Sequence, residues 1–186
     1  MAQNNRLVTM MEISVMAALA YVLGQLKVYE MPQGGSVSLV MLPIVLIAVR
    51  RGLGAGLMAG LLVGIIDYLL GKYPAVHPIQ FFLDYPIPYT AIGLAGLIPL
   101  ARMSGNMMRV VSVCGALLLG VVVRFLAHFT SGVVYFAEYA PEGTPVTTYS
   151  FLYNIQYILP EYLITAVVLG ILITTAPQLF LLPRGR

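Results

Sequence analysis

Apolar residues run through this chain in long blocks, not in strand-like alternation, and Gly, Pro and Arg punctuate them into six. The blocks extend from Leu7 to Leu26, Val37 to Val49, Leu53 to Leu70, Ile79 to Leu100, Val110 to Tyr135 and Phe151 to Ala176. A helix that crosses a bilayer needs about 20 mostly apolar residues. The pattern therefore predicts an all-α integral membrane protein with six transmembrane helices in one compact bundle, residues 1–186 forming a single domain. The second block is short for a span. The GGSVS stretch before it is expected to complete it with irregular backbone instead of a clean helix end.

Composition agrees with the pattern. Hydrophobic residues make up 60% of the chain and charged residues 9%, with a mean hydropathy of +0.91, whereas soluble domains carry roughly a quarter charged residues. No soluble domain fits in what remains. Leu7 to Leu26 reads as a first spanning helix and not as a signal peptide, because no small-x-small cleavage site precedes a polar mature domain. The single Cys114 rules out a disulfide framework and a cysteine-ligated metal site.

Charge then orients the bundle. Arg6, Arg50, Arg51, Arg102, Arg109, Arg184 and Arg186 fall at the termini and the even-numbered connections, against Lys27 and Lys72 on the other side. Cytoplasmic loops carry the excess of basic residues, so both termini are predicted inside. The inner turns are tight, as in RRG, whereas the outer connections KVYEMPQGGSVS, GKYPAVHP and FAEYAPEGTPVTTY are longer and aromatic. Long loops held by a rigid scaffold carry binding function, which puts the ligand-facing side outside. Small residues recur at four-residue spacing: Ser14 and Ala18, then Gly52, Gly56, Gly60 and Gly64, then Ala91 with Ala95 or Gly96. Such faces let helix backbones approach, either within the bundle or against a partner membrane protein.

Ionisable groups inside the apolar blocks are costly and need partners. Glu12 lies near the inner interface and is expected there or paired with a cytoplasmic Arg. Arg124 and Glu161 most simply neutralise each other, and Asp67 reads equally as structure or site. Asp84 and His128 stand apart, since Gln80, Tyr85 and Tyr89 surround the first, and Arg124, Thr130, Ser131 and Tyr135 the second. Arg124, His128, Ser131 or Gly132, and Tyr135 share one helix face by the three-and-four spacing. The last block opens with Tyr149, Tyr153, Asn154, Gln156 and Tyr157; the tyrosines fit an interfacial belt, but an amide in lipid would lose its hydrogen bonds. Together these groups predict a cavity between the outer halves of blocks four to six, with a carboxylate, an imidazole, an amide and aromatic faces. That chemistry suits a flat, cationic, nitrogen-containing molecule. No phosphate loop, HExxH motif or cysteine metal spacing is present. Intramembrane hydrolysis through Asp67 and Asp84, and a proton-coupled carrier using Asp67, Arg124 and Glu161, are the other readings.

The runs MPQGGSVSLVMLPI, RRGLGAGLMAGLLVG, HPIQFFLDY, RFLAHFTSGVVYF and YAPEGTPVTTYSFLYN closely resemble the thiamine-specific S component of energy-coupling factor transporters. The resemblance implies a substrate-binding membrane subunit, not an enzyme, which captures thiamine outside and carries no cofactor. Its partners would be a transmembrane coupling protein and two ATP-binding-cassette ATPases, which use the ATP. The family's ligand residues carry over onto Asp84 and Tyr85, His128, Tyr149 and Asn154. Phe136 stands where the family has a tryptophan, and this chain has none. A carboxylate often found in the first loop falls near Ser38, and Tyr73 and His77 are candidates for the ring contact of the third loop. Ser14 and Ala18 match the family's docking pattern for the coupling protein, with serine in place of its first alanine.

Overall fold

The structure, a computed structural model, describes residues 2–181. Its helices are α1 (Ala2–Gln25), α2 (Met41–Arg51), α3 (Leu53–Leu70), α4 (Pro78–Asp84), α5 (Pro86–Ile92), α6 (Asn106–Tyr135) and α7 (Val146–Thr175). Stretches within α1, α3, α6 and α7 are long and apolar enough to cross a membrane. With α2, and with α4 and α5 taken as one interrupted segment, they make the six segments expected from the blocks. Arg184 and Arg186, used to orient the chain, lie outside the described residues.

Two boundaries differ from the hydropathy pattern. The second block does not start as helix at Val37: a two-residue antiparallel pairing of β1 (Tyr29–Glu30) with β2 (Ser36–Val37) comes first, with Tyr29 opposite Val37. That is the irregular backbone anticipated for GGSVS. The fourth block is not one span from Ile79 to Leu100. It breaks between α4 and α5 at Tyr85, whose φ of −123° and ψ of −75° lie off the helical region. Pro86 is the cause, because its ring crowds the preceding residue out of the α conformation and its nitrogen has no hydrogen to donate. Beyond Ile92 the segment tightens into 3-10 turns over Gly93–Leu97 and Leu100–Arg102.

The short α2 is the centre of the bundle. Met41, Ile44, Val45, Ile47 and Ala48 are all fully buried, so this helix is apolar on every side. It turns into α3 through Gly52, whose φ of 92° suits glycine. At this end Arg51 grips Glu12 with two hydrogen bonds of 2.7 Å, and Arg50 adds a third at 3.3 Å. The Arg50 guanidinium also donates to the carbonyls of Gln178, Leu179 and Leu181, which ties the chain's last described turn to α2.

The glycine row of α3 packs inside the molecule. Gly56 faces Ala48 and the Gly93 carbonyl, Gly60 faces the Tyr89 carbonyl, and Gly64 faces that of Tyr85. A methyl group on Gly64 would lie 2.6 Å from the Tyr85 oxygen, so no larger residue fits without displacing α5. From the other side Gly120 of α6 meets the Ala91 carbonyl. The kinked segment is clamped between glycine surfaces of two straight helices. By contrast Ser14 and Ala18 are exposed on the outer face of α1, while Ile13, Ala17 and Ala20 face the core.

Candidate functional site

At the end of the bundle away from Arg50 and Arg51, the helices do not close. A cavity of ≈ 550 Å³ is lined by the C-terminal ends of α1 and α3, the kink between α4 and α5, the end of α6, the start of α7 and the first loop. Its volume is in the range of small-molecule sites, about 300–1,000 Å³.

The first loop lies against the cavity and is fastened there. Tyr153 of α7 accepts a hydrogen bond from the Gln33 amide and donates one to the Gly34 carbonyl, both at 2.9 Å. Gly34 and Gly35 have φ of 95° and 86°, which lets the turn approach two tyrosine rings. A methyl group on Gly35 would stand 2.6 Å from the Tyr157 ring, and one on Gly34 3.3 Å from that of Tyr73. On the loop's own hairpin, Lys27 donates to Glu30 at 2.7 Å. That bond holds the Glu30 carboxyl below its ordinary value.

Polar groups converge beneath the loop. The Pro86 kink ends α4 at Asp84, whose carboxylate lies 3.6 Å from Nδ1 of His128 on α6. The His128 ring meets the edge of Tyr157, centroids 6.2 Å apart. The Tyr157 hydroxyl donates to Oδ1 of Asn154 at 2.8 Å, and the Asn154 amide donates to the Ser150 carbonyl at 2.8 Å. Tyr85 donates to the Tyr73 carbonyl and fixes the third loop. Tyr149 and Phe136 complete the aromatic lining.

The floor is ionic. Ser38, at the end of the hairpin, donates to Glu161 at 2.9 Å, and Glu161 pairs with Arg124 at 3.0 Å. Both charged groups are buried, so the neutral pair expected for them is present. The Arg124 guanidinium sits 5.5 Å from the centre of the Tyr89 ring, and the Tyr89 hydroxyl donates to Asp67 at 2.7 Å.

The fold thus brings Ser38, Tyr73, Asp84, Tyr85, His128, Phe136, Tyr149 and Asn154 to one cavity. His77 is not among its lining residues. It caps α4 by accepting from the Ile79 amide at 3.1 Å and stacks on Tyr135, whose own side chain lines the cavity. Tyr153 and Tyr157 turn inward and are not an interfacial belt; Tyr157 is 3% exposed. Hydropathy could not single them out as lining residues, whereas Asp67, read as structure or site, and Tyr89, read as a neighbour of Asp84, line the cavity too. The signal was there in the helical spacing of Ser150, Asn154 and Tyr157, which share the face of a polar amide. No cluster of three or more metal-ligating side chains exists among the described residues.

The family described as "Thiamine transporter protein" matches this chain over residues 10–181. The chain belongs to that family. The thiamine transporter ThiT of Bacillus subtilis is 42% identical over 188 residues, spanning 96% of this chain and 97% of the relative. That of Lacticaseibacillus paracasei is 33% identical over 194 residues, spanning 100% of this chain and 96% of the relative. A solved structure of ThiT from Listeria monocytogenes superposes with a TM-score of 0.87 at 30% identity, covering 96% of this chain and all of the other. The stretch matched to the thiamine transporter family contains every cavity residue named above and the exposed pair Ser14 and Ala18.

Proposed function

We propose that this protein binds thiamine in the tyrosine-lined cavity and is the substrate-capturing S component of an energy-coupling factor importer. The observation that carries the reading is the convergence of Asp84, His128, Asn154 and a shell of aromatic rings beneath a fastened loop. Thiamine joins a hydrogen-bonding aminopyrimidine to a permanently cationic thiazolium. Asp84 accepts from the pyrimidine amino group, and the aromatic faces take the thiazolium, each worth about 0.5–2 kcal/mol according to desolvation. The Gly34 and Gly35 turn opens and closes over the ligand. The relatives are transporters and not enzymes, and the cavity holds the ligand without converting it.

The single domain sits with both termini in the cytoplasm and the cavity outside. The distribution of basic residues supports this, since Arg50, Arg51, Arg102 and Arg109 lie at the end opposite the cavity. A transmembrane coupling protein docks on the exposed Ser14 and Ala18 face of α1, and two ATPases drive release inward. Thiamine titration of purified protein tests the site: Asp84→Asn is expected to weaken binding at least about tenfold, or 1.4 kcal/mol, and unchanged affinity removes Asp84 from it. Vesicles holding this protein alone are expected to bind but not accumulate thiamine. Accumulation would establish the secondary carrier instead.

A further inference from the structure

Besides Asp84 the cavity is lined by the exposed Glu138 and by a part-buried carboxylate, Asp67, which is differently placed from Asp84. Asp67 comes from α3, three residues beyond Gly64, and lines the same space as Asp84. Other charges near the cavity have a neighbour, apart from Lys72 and Glu138, which also line it but are exposed and form no ion pair among the described residues. Arg124 is paired with Glu161, Asp84 with His128, and Lys27 with Glu30. Asp67 has no ion pair within 4 Å among the described residues. It accepts a hydrogen bond from the Tyr89 hydroxyl on one of its two oxygens. Lys72, exposed at the rim, also lies beyond ion-pair distance of any described carboxylate.

A carboxylate shielded on one side by a tyrosine and turned to a cavity on the other favours a cation in that cavity. The two acids are also kept apart by structure. Tyr85, beside Asp84, packs edge-on against Tyr68, beside Asp67, with centroids 5.3 Å apart. Asp84 reaches the cavity from the kink and is engaged by an imidazole, whereas Asp67 reaches it from α3 and is engaged only by a hydroxyl.

We infer that Asp67 is the residue that reads the positive charge of the ligand's thiazolium ring, while Asp84 reads the hydrogen-bonding ring. The two acids divide one ligand between charge and hydrogen bonding, and Asp67 makes the site selective for cationic over uncharged rings. The Tyr89 hydroxyl positions the Asp67 carboxylate, and the centre of the Tyr89 ring itself lies 5.5 Å from the Arg124 guanidinium.

This inference rests on the thiamine reading, and one set of titrations separates the two. Purified wild type, Asp67→Asn and Asp84→Asn are each titrated with thiamine and with an analogue whose thiazolium is replaced by an uncharged five-membered ring. Wild type is expected to prefer thiamine. Asp67→Asn should weaken thiamine binding about tenfold and leave the uncharged analogue within about twofold, so the preference collapses. Asp84→Asn should weaken both ligands alike, and Asp67→Glu should keep the preference. Equal losses with both ligands in Asp67→Asn, or no loss, overturn the assignment to Asp67. Failure of wild type to bind either ligand overturns the thiamine reading itself. Thermal unfolding accompanies each titration, and Asp67→Ser takes the place of Asp67→Asn under the same criteria if the latter is not recovered folded.

Discussion

The seam between α3 and α5 and the wall formed by α6, α7 and the first loop are made from equally apolar helices, yet one is solid and the other encloses a space. In the seam, Gly56, Gly60 and Gly64 bring backbone against backbone, and no side chain intervenes. In the wall, Tyr153, Tyr157 and Phe136 stand between the elements, and ≈ 550 Å³ stays open. The difference shows how the open side depends on the solid one. Gly64 seats the carbonyl of Tyr85, the residue at the kink, and Asp84 is its neighbour. Backbone packing on one face of α3 therefore sets where the acid stands on the cavity side.

The strongest way to break this arrangement is at the cavity floor. Glu161→Ala leaves Arg124 buried without its counter-ion, and is expected to cost about 3–5 kcal/mol of stability, read as thermal unfolding in detergent. Replacing both partners by apolar residues, Arg124→Met with Glu161→Leu, is expected to recover most of that loss, because no charge is then stranded. A double variant as unstable as the single one would mean that the pair does more than neutralise itself.

The seam is tested next. Gly64→Ala places a methyl group against the Tyr85 carbonyl, and overpacking of this kind costs about 1–3 kcal/mol. If the seam positions the acid, thiamine affinity falls with stability. Gly54→Ala makes the control, because a methyl group there meets nothing within 4 Å. A Gly64→Ala protein that is destabilised yet binds normally would uncouple the two sides.

On the open side, Tyr153→Phe removes both bonds that fasten the first loop. Each neutral hydrogen bond contributes about 1 kcal/mol net, so losing both is expected to lower affinity by up to roughly thirtyfold through faster dissociation, measured by stopped-flow release. Equal dissociation rates would show that the loop is held by the Gly34 and Gly35 contacts with the rings alone.

Sequence and structure part company along the same line. The six blocks were legible as long apolar runs, and the Arg124–Glu161 pair and the cavity position of Asp84, His128 and Asn154 because each is a local violation of that pattern that needs a partner. The kink at Tyr85 was missed although Pro86 stood in view, since hydropathy averages over a break that leaves the segment apolar. Tyr153 and Tyr157 were ambiguous for a different reason. A tyrosine near a helix end satisfies its hydroxyl equally well at a lipid interface or against a loop, and only the loop's position, far away in sequence, decides. His77 was a candidate ring contact only through the family resemblance; in the structure it caps α4, a role fixed by one backbone turn.

The smallest effect belongs to the hairpin that carries the first loop. The Lys27 ammonium holds the Glu30 carboxyl below its ordinary value, so the pair's contribution is present above the carboxyl's unperturbed pKa and is lost as pH falls through the lowered one. Being largely solvated, the pair contributes less than about 1 kcal/mol. Glu30→Gln is therefore expected to bind thiamine slightly more weakly than wild type at neutral pH and equally well in acid, at low salt. The difference between the two proteins across pH isolates Glu30, because every other group is the same in both. A difference that persists in acid would assign the effect to hairpin shape and not to the charge pair, and would leave Tyr153 as the fastening that matters.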